Sequence, residues 1–349
     1  MHTTNERYES NLIPVEETID LLCKDFDAVC DDTLERYREC NELPPYYDEE
    51  KFKKGQQFYH KHVYGMFFGK LLGLLAVIST PTITNILVFT NMSSKPLTAY
   101  KRYLATVFHM CVWYDNDFKP GSKLWRSINA VKSLHNSASK RSCAVKGYRI
   151  LQKDMGITQF GFMGFAILRP EHVGIHNASR DELESFIHLW RVIGYIIGID
   201  DKYNICRDTL EETREICNGL INNILLKNLK TPTKNYLMLA DALVNGMWSM
   251  QPFLEINTFR AYLHRLLSIN NNNSNEFPNI PLTITQRVLL LFITVYIFCM
   301  QFNAVRISSN YVQYMAFWLM EHFPFLALYK YGYENSFVSI NVERKKKRG

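Results

Sequence analysis

The stretch 58–80, FYHKHVYGMFFGKLLGLLAVIST, constrains the fold more than any other. It reads as a strongly apolar helix, interrupted by Lys70 and closed by Pro81. Gly65, Gly69 and Gly73 recur at four-residue intervals, which places them in one row on the helix. A row without side chains lets something approach the backbone closely, either a second helix or a flat ligand. Tight helix packing is the simpler reading.

Helical spacing continues along the chain. Residues 15–40 place Ile19, Leu22, Cys23, Phe26, Val29 and Leu34 on one face and acids on the other, and 41–50 is a break. Helices are expected over 98–113 and 123–140, joined by a turn around Pro120-Gly121. The glycine- and aromatic-rich segment 155–175 reads as irregular. A well-signalled helix covers 179–199, where Ser179 and Glu182 make a capping box and Gly194 and Gly198 form a second small strip. Further helices are expected at 208–227, 232–249 and 258–268, followed by a polar linker at 270–281. Alternating strand patterns are few and no internal repeat occurs. The expected fold class is all-α, a multi-helix bundle.

Residues 288–305 carry no charge and are bounded by Arg287 and Arg306, the lower length limit for a membrane span. Gln301 and Asn303 favour instead a buried or membrane-facing helix. The final KKRG matches a dilysine retrieval signal of the endoplasmic reticulum, or a basic end resting on anionic lipid. The net charge of +6 comes largely from this tail, so a nucleic-acid partner is not expected. The eight cysteines show no zinc-like spacing and read as buried thiols, and the N-terminus lacks the apolar core of a secretory signal. Together these features point to an endoplasmic-reticulum membrane or cytoplasmic location rather than secretion, and the sequons at Asn91, Asn177 and Asn272 carry little weight.

Polar residues stand where a core would take leucine. Arg102, Thr106 and His109 follow i, i+4, i+7 spacing on one side of the 98–113 helix. The next helix delivers His135 from a stripe that includes Ile128, Val131 and Leu134. A histidine on an apolar face is either a hydrogen-bonded core residue or a metal or haem-iron ligand. His60 and His62 do not share a helix face, and His172 and His176 lie beside Pro170 and Gly174. No HExxH, GxSxG, GxGxxG or P-loop motif occurs, so hydrolase, nicotinamide-dependent and NTPase classes lose their usual anchors.

Arg102-x-x-x-Thr106, the Leu134-His135 pair some thirty residues later, and HLWRVIGYIIGI at 188–199 together resemble one family. It is the oxygenase family containing the bacterial latex-clearing rubber oxygenases and the endoplasmic-reticulum-bound oxygenase of fungal mycophenolic acid synthesis. The similarity covers roughly 56–265. It implies a globin-like all-α core holding haem b, with His135 at the proximal iron position and Arg102 and Thr106 supporting the haem pocket. Arginine suits a propionate because its planar fork makes two charge-assisted hydrogen bonds. Trp190, Arg191, Gly194 and Tyr195 would belong to a neighbouring helix packed against porphyrin or a facing helix. The resemblance divides the chain into an amphipathic extension (1–55), the oxygenase-like domain (56–265), apolar C-terminal helices (266–340) and a basic tail (341–349).

The chain departs from the family at two places. Ala105 stands where rubber oxygenases can carry a lysine on the distal iron side, and 84–96 contains no acid where those enzymes place a glutamate base. His109 is the candidate replacement catalytic group. The resemblance implies oxygenation of a lipophilic small molecule, isoprenoid or lipid-like, by dioxygen. The alternatives are a non-catalytic haem- or lipid-binding protein of the same fold, and a cofactor-free, membrane-associated structural protein with His135 in its core. The membrane contact expected in either case is a surface or a single span at 288–305.

Overall fold

A computed structural model describes residues 12–24, 28–31, 43–269, 277, 280–340 and 342. Sixteen α-helices occur among them: α1 (Val15–Cys23), α2 (Glu49–Lys61), α3 (Val63–Val77), α4 (Pro81–Thr90), α5 (Pro96–Asp115), α6 (Lys123–Lys146), α7 (Gln152–Leu168) and α8 (Arg180–Ile197) come first. They are followed by α9 (Leu210–Leu220), α10 (Leu226–Lys230), α11 (Lys234–Met247), α12 (Ile256–Ser268), α13 (Ile284–Cys299), α14 (Asn303–His322), α15 (Phe325–Tyr331) and α16 (Tyr333–Ser336). The described residues form no strand, only an isolated antiparallel bridge between Val29 and Leu151. The all-α multi-helix architecture follows the apolar periodicity of the sequence.

The glycine row explains the centre. Helix α3 crosses α7 so closely that a Cβ on Gly73 would strike the Gly161 backbone, while one on Gly65 would come within 2.8 Å of the Val173 carbonyl. Both helices are buried along almost their whole length, including Leu72, Leu75, Phe160 and Phe165. Segment 155–175 is therefore not irregular: it is helical to Leu168, continued by a short 3-10 turn at Pro170–Val173. Its glycines serve helix contact rather than loop conformation, and the aromatic residues fill the space beside the crossing.

Several other boundaries differ from the sequence reading. The apolar run at 58–80 is two helices, broken at His62, whose φ and ψ are −133° and 31°. Helix α2 begins at Glu49, capped by the Asp48 side chain. Helix α1 ends at Cys23, with Lys24 extended and Val29 bridged to Leu151; the remainder of the expected 15–40 helix, at 25–27 and 32–40, lies outside the described residues. The 208–227 segment includes a π-helical turn at Ile221–Leu225. Helix α13 stops at Cys299, so 288–305 is not one straight helix; the chain bends by 115° into α14. Among the described residues no single helix is long and apolar enough to cross a membrane. The linker at 270–281 and the tail at 341–349 fall largely outside the described residues. The seven described cysteines are all free thiols.

Helix α8 follows its capping signal. Ser179 Oγ accepts from the Glu182 amide at 3.1 Å, and Glu182 accepts from the Ser179 amide at 2.8 Å. It packs along α2, where His188 Nε2 accepts the Asp48 amide at 3.1 Å. That bond requires a neutral imidazole, and burial depresses the His188 pKa to about 4. Burial likewise holds His62 at about 3 and His264 at about 4.

Gly73→Val should destabilise the fold by about 1–3 kcal/mol, because the Gly161 backbone opposite cannot move aside without separating α3 from α7. A thermal midpoint equal to wild type would contradict the close crossing. The pH dependence follows from the histidines. The unfolded chain protonates them near pH 6.5, while the folded chain keeps them neutral well below that. Stability should therefore be complete above pH 6.5 and decline as pH falls towards 4, measured by denaturant midpoints, with a shallower decline in His62→Leu.

Candidate functional site

Helices α5 and α6 are joined by a turn and packed side by side. Pro96 occupies the first turn of α5, where its missing amide costs nothing. Ser122 caps α6 by accepting the Trp125 amide at 3.1 Å, and Gly147 closes that helix with φ of 73°. These ends fix the register that sets Arg102 on α5 near His135 on α6.

Both side chains are densely surrounded yet remain partly exposed. Burial, assisted by the positive charge of Arg102, lowers the His135 pKa to about 4, so the imidazole is neutral at physiological pH. His135 Nδ1 is buried with no hydrogen-bond partner among the described residues. Arg102 donates from Nη1 to Thr90 Oγ1 on α4 at 3.4 Å, a long contact for a guanidinium. Burial lowers the Arg102 pKa too, and the group interacting with it electrostatically is Tyr103 rather than a carboxylate. A cation so enclosed without an acid is costly and is relieved by an incoming anion.

These two residues fit a haem in two respects. A neutral imidazole is the form that ligates iron, and the arginine fork matches a propionate. A third respect is incomplete: ligating histidines normally donate their second ring nitrogen to an acceptor, and Nδ1 here has none. Among the described residues no cluster of three or more His, Cys, Asp or Glu is placed to hold a bare metal ion. An axial haem ligand needs only the one imidazole.

The other expected residues lie as follows. Thr106 bonds back to the Arg102 carbonyl within α5 at 3.1 Å. His109 is buried, with Nδ1 2.7 Å from Ser127 Oγ, which also accepts from Trp113 Nε1 at 2.9 Å. Ser127 thus accepts a hydrogen bond from the indole N–H and shares another with His109, tying α5 to α6. Trp190 stacks on Phe162 at 5.2 Å between centroids. Arg191 pairs with Asp208 and lies 3.9 Å over the Tyr46 ring. Gly194 leaves room for Gln159 and Asn204, which donate to the Trp190 and Arg191 carbonyls at 3.0 and 3.1 Å. Arg191 and Gly194 therefore belong to a network among α7, α8 and the 200–208 loop, and among the described residues neither bonds to Arg102 or His135.

Lys70 is a residue that the sequence marked only as an interruption. It is buried beside Cys111, 5.8 Å from the Tyr59 ring centroid and 5.9 Å from that of Tyr114. Desolvation lowers its pKa to about 7. A single lysine within an apolar run was the available signal.

No family model matches the chain, and no curated protein matches it. A solved structure, that of latex clearing protein LCP in the closed state, is similar over 87% of this chain and 85% of that one, with a TM-score of 0.46 and 14% identity. At that score and identity the likeness assigns no residue and no activity.

Ser127→Ala should cost about 1–3 kcal/mol, since it leaves the buried Trp113 and His109 nitrogens unpaired. Chemical denaturation reads this directly, and an unchanged midpoint would remove the cluster from the α5–α6 contact.

Proposed function

We propose that this chain is a haem-binding, oxygenase-like protein acting on a lipophilic small molecule of isoprenoid or lipid-like character, with dioxygen as co-substrate. The observation that carries the reading is the pairing of a neutral, unpartnered His135 with an enclosed Arg102 that has no acid beside it. The order of the Arg-x-x-x-Thr and Leu-His motifs supports it independently.

In this reading His135 ligates the iron of haem b, and its depressed pKa keeps a lone pair available without competition from protons. Arg102 would hold a propionate, for which its planar guanidinium is suited. Thr106, bonded to its own helix, supports the α5 backbone next to Arg102. Trp190, Arg191 and Gly194 hold α8 in place from outside this pair. Haem iron, when bound, supplies the oxygen chemistry.

A second reading, binding without turnover, is favoured by one observation. No carboxylate enters the electrostatics of Arg102 or His135, and His109 is already committed to Ser127. The pair thus has no acidic group beside it to move a proton from a substrate.

Absorption spectra and iron content of the purified wild type, His135→Ala and His109→Ala test the reading. Haem retention should fall by about tenfold or more in His135→Ala and stay near wild type in His109→Ala. Equal Soret bands in His135→Ala and wild type would remove His135 as ligand. Oxygen uptake with isoprenoid and unsaturated lipid substrates then separates turnover from binding alone.

A further inference from the structure

Helix α14 is unusual for a water-facing helix. Its inward side mixes polar and apolar groups: Ser309, Asn310, Gln313 and Met320 are buried, and Phe317 packs on Phe67. Asn310 bonds both the Lys61 carbonyl, at 2.9 Å, and the Tyr64 amide, at 3.1 Å. Ser309 Oγ lies 2.6 Å from the Tyr296 hydroxyl, and Gln313 accepts from Gln251 at 2.8 Å. Its outward side is apolar: Tyr311, Met315 and Trp318 stand exposed, and Leu291, Phe298 and Phe302 extend the same character across α13 and the bend. Phe298 is 63% exposed and Trp318 55%, too large an apolar surface to leave to water without a function.

We propose that the outer face of α13 and α14 docks into the interfacial layer of a bilayer containing anionic lipid. Three observations select this occupant. From 277 to 320 the chain has no aspartate or glutamate, and its charged residues are Arg287 and Arg306. Cations beside apolar surface, with no acid, match phosphate headgroups above acyl chains. A second copy of the chain fits worse, because a two-fold contact would set these arginines against the same acid-free stretch. The 115° bend lays the two helices along a surface instead of through it. The exposed Tyr311, Tyr314 and Trp318 are the residue types that settle at headgroup depth. This inference is independent of haem binding.

Flotation of the full chain with vesicles tests it, using phosphatidylcholine alone and phosphatidylcholine mixed with phosphatidylserine. The chain should float with the mixed vesicles and much less with the neutral ones. Phe298→Glu with Met315→Glu should reduce the bound fraction by about tenfold or more, with unchanged circular dichroism and thermal midpoint. Arg287→Gln with Arg306→Gln should abolish the preference for phosphatidylserine. In the wild type, brominated acyl chains should quench fluorescence that Trp318→Phe removes, a readout that does not depend on the glutamate variant folding. Absence of flotation, equal binding by the glutamate variant, or no Trp318 quenching would overturn the proposal. A concentration-dependent dimer that the glutamate variant dissolves, without vesicle binding, would overturn it in favour of a second copy.

Discussion

The backbone contact between α3 and α7 sets the terms for the rest of the molecule. Two helices buried along most of their length gain packing only if their axes approach closely, and side chains at the crossing would prevent that. Gly73 and Gly161 remove them at the point of nearest approach, and Gly65 allows the turn at Val173 to close over the other end of α3. Around this pair, α2 lies along α8 and α5 along α11, so most remaining helices need only one apolar side. Several buried polar groups of that shell are satisfied locally: Gln159 and Asn204 bond α8 carbonyls, and Gln56 donates to the carbonyls of Trp113 and Asn116.

Other polar groups are incompletely paired: His135 Nδ1, like both ring nitrogens of His62 and Nε2 of His264, has no hydrogen-bond partner among the described residues. The buried Arg191 has Asp208, and Arg207 has Thr18 and the Ile13 carbonyl, while each keeps further guanidinium nitrogens without a partner among the described residues. Arg102 has a long contact to a threonine, and the neighbouring imidazole has an unpartnered nitrogen. Retaining an enclosed cation without compensation is unfavourable for folding alone.

The legible parts of the sequence were those where local signals and tertiary context agree. Ser179 and Glu182 announced α8, and the Pro-Gly turn separated α5 from α6. Segment 155–168 misled because glycine lowers helix propensity, whereas Gly161 serves a contact with a helix some ninety residues earlier in the chain, which no local pattern reveals. The break at His62 carries no proline or glycine. The bend after Cys299 is equally silent, since an uncharged run reads the same whether straight or folded. Arg191 and Gly194 stood in a motif with the right order, yet their partners Tyr46, Asp208, Gln159 and Asn204 come from distant segments.

The central claim is that Arg102 is held uncompensated for an anionic ligand. Thermal unfolding of the wild type and Arg102→Met, each with and without added haemin, tests it most directly. Without haemin, Arg102→Met should match or exceed the wild-type midpoint, because an enclosed unpaired charge is replaced by an apolar chain of similar length. With haemin, the wild type should gain stability and the variant should gain little. A variant that is much less stable without haemin, or that gains as much from haemin as the wild type, would contradict the account and make Arg102 a structural residue.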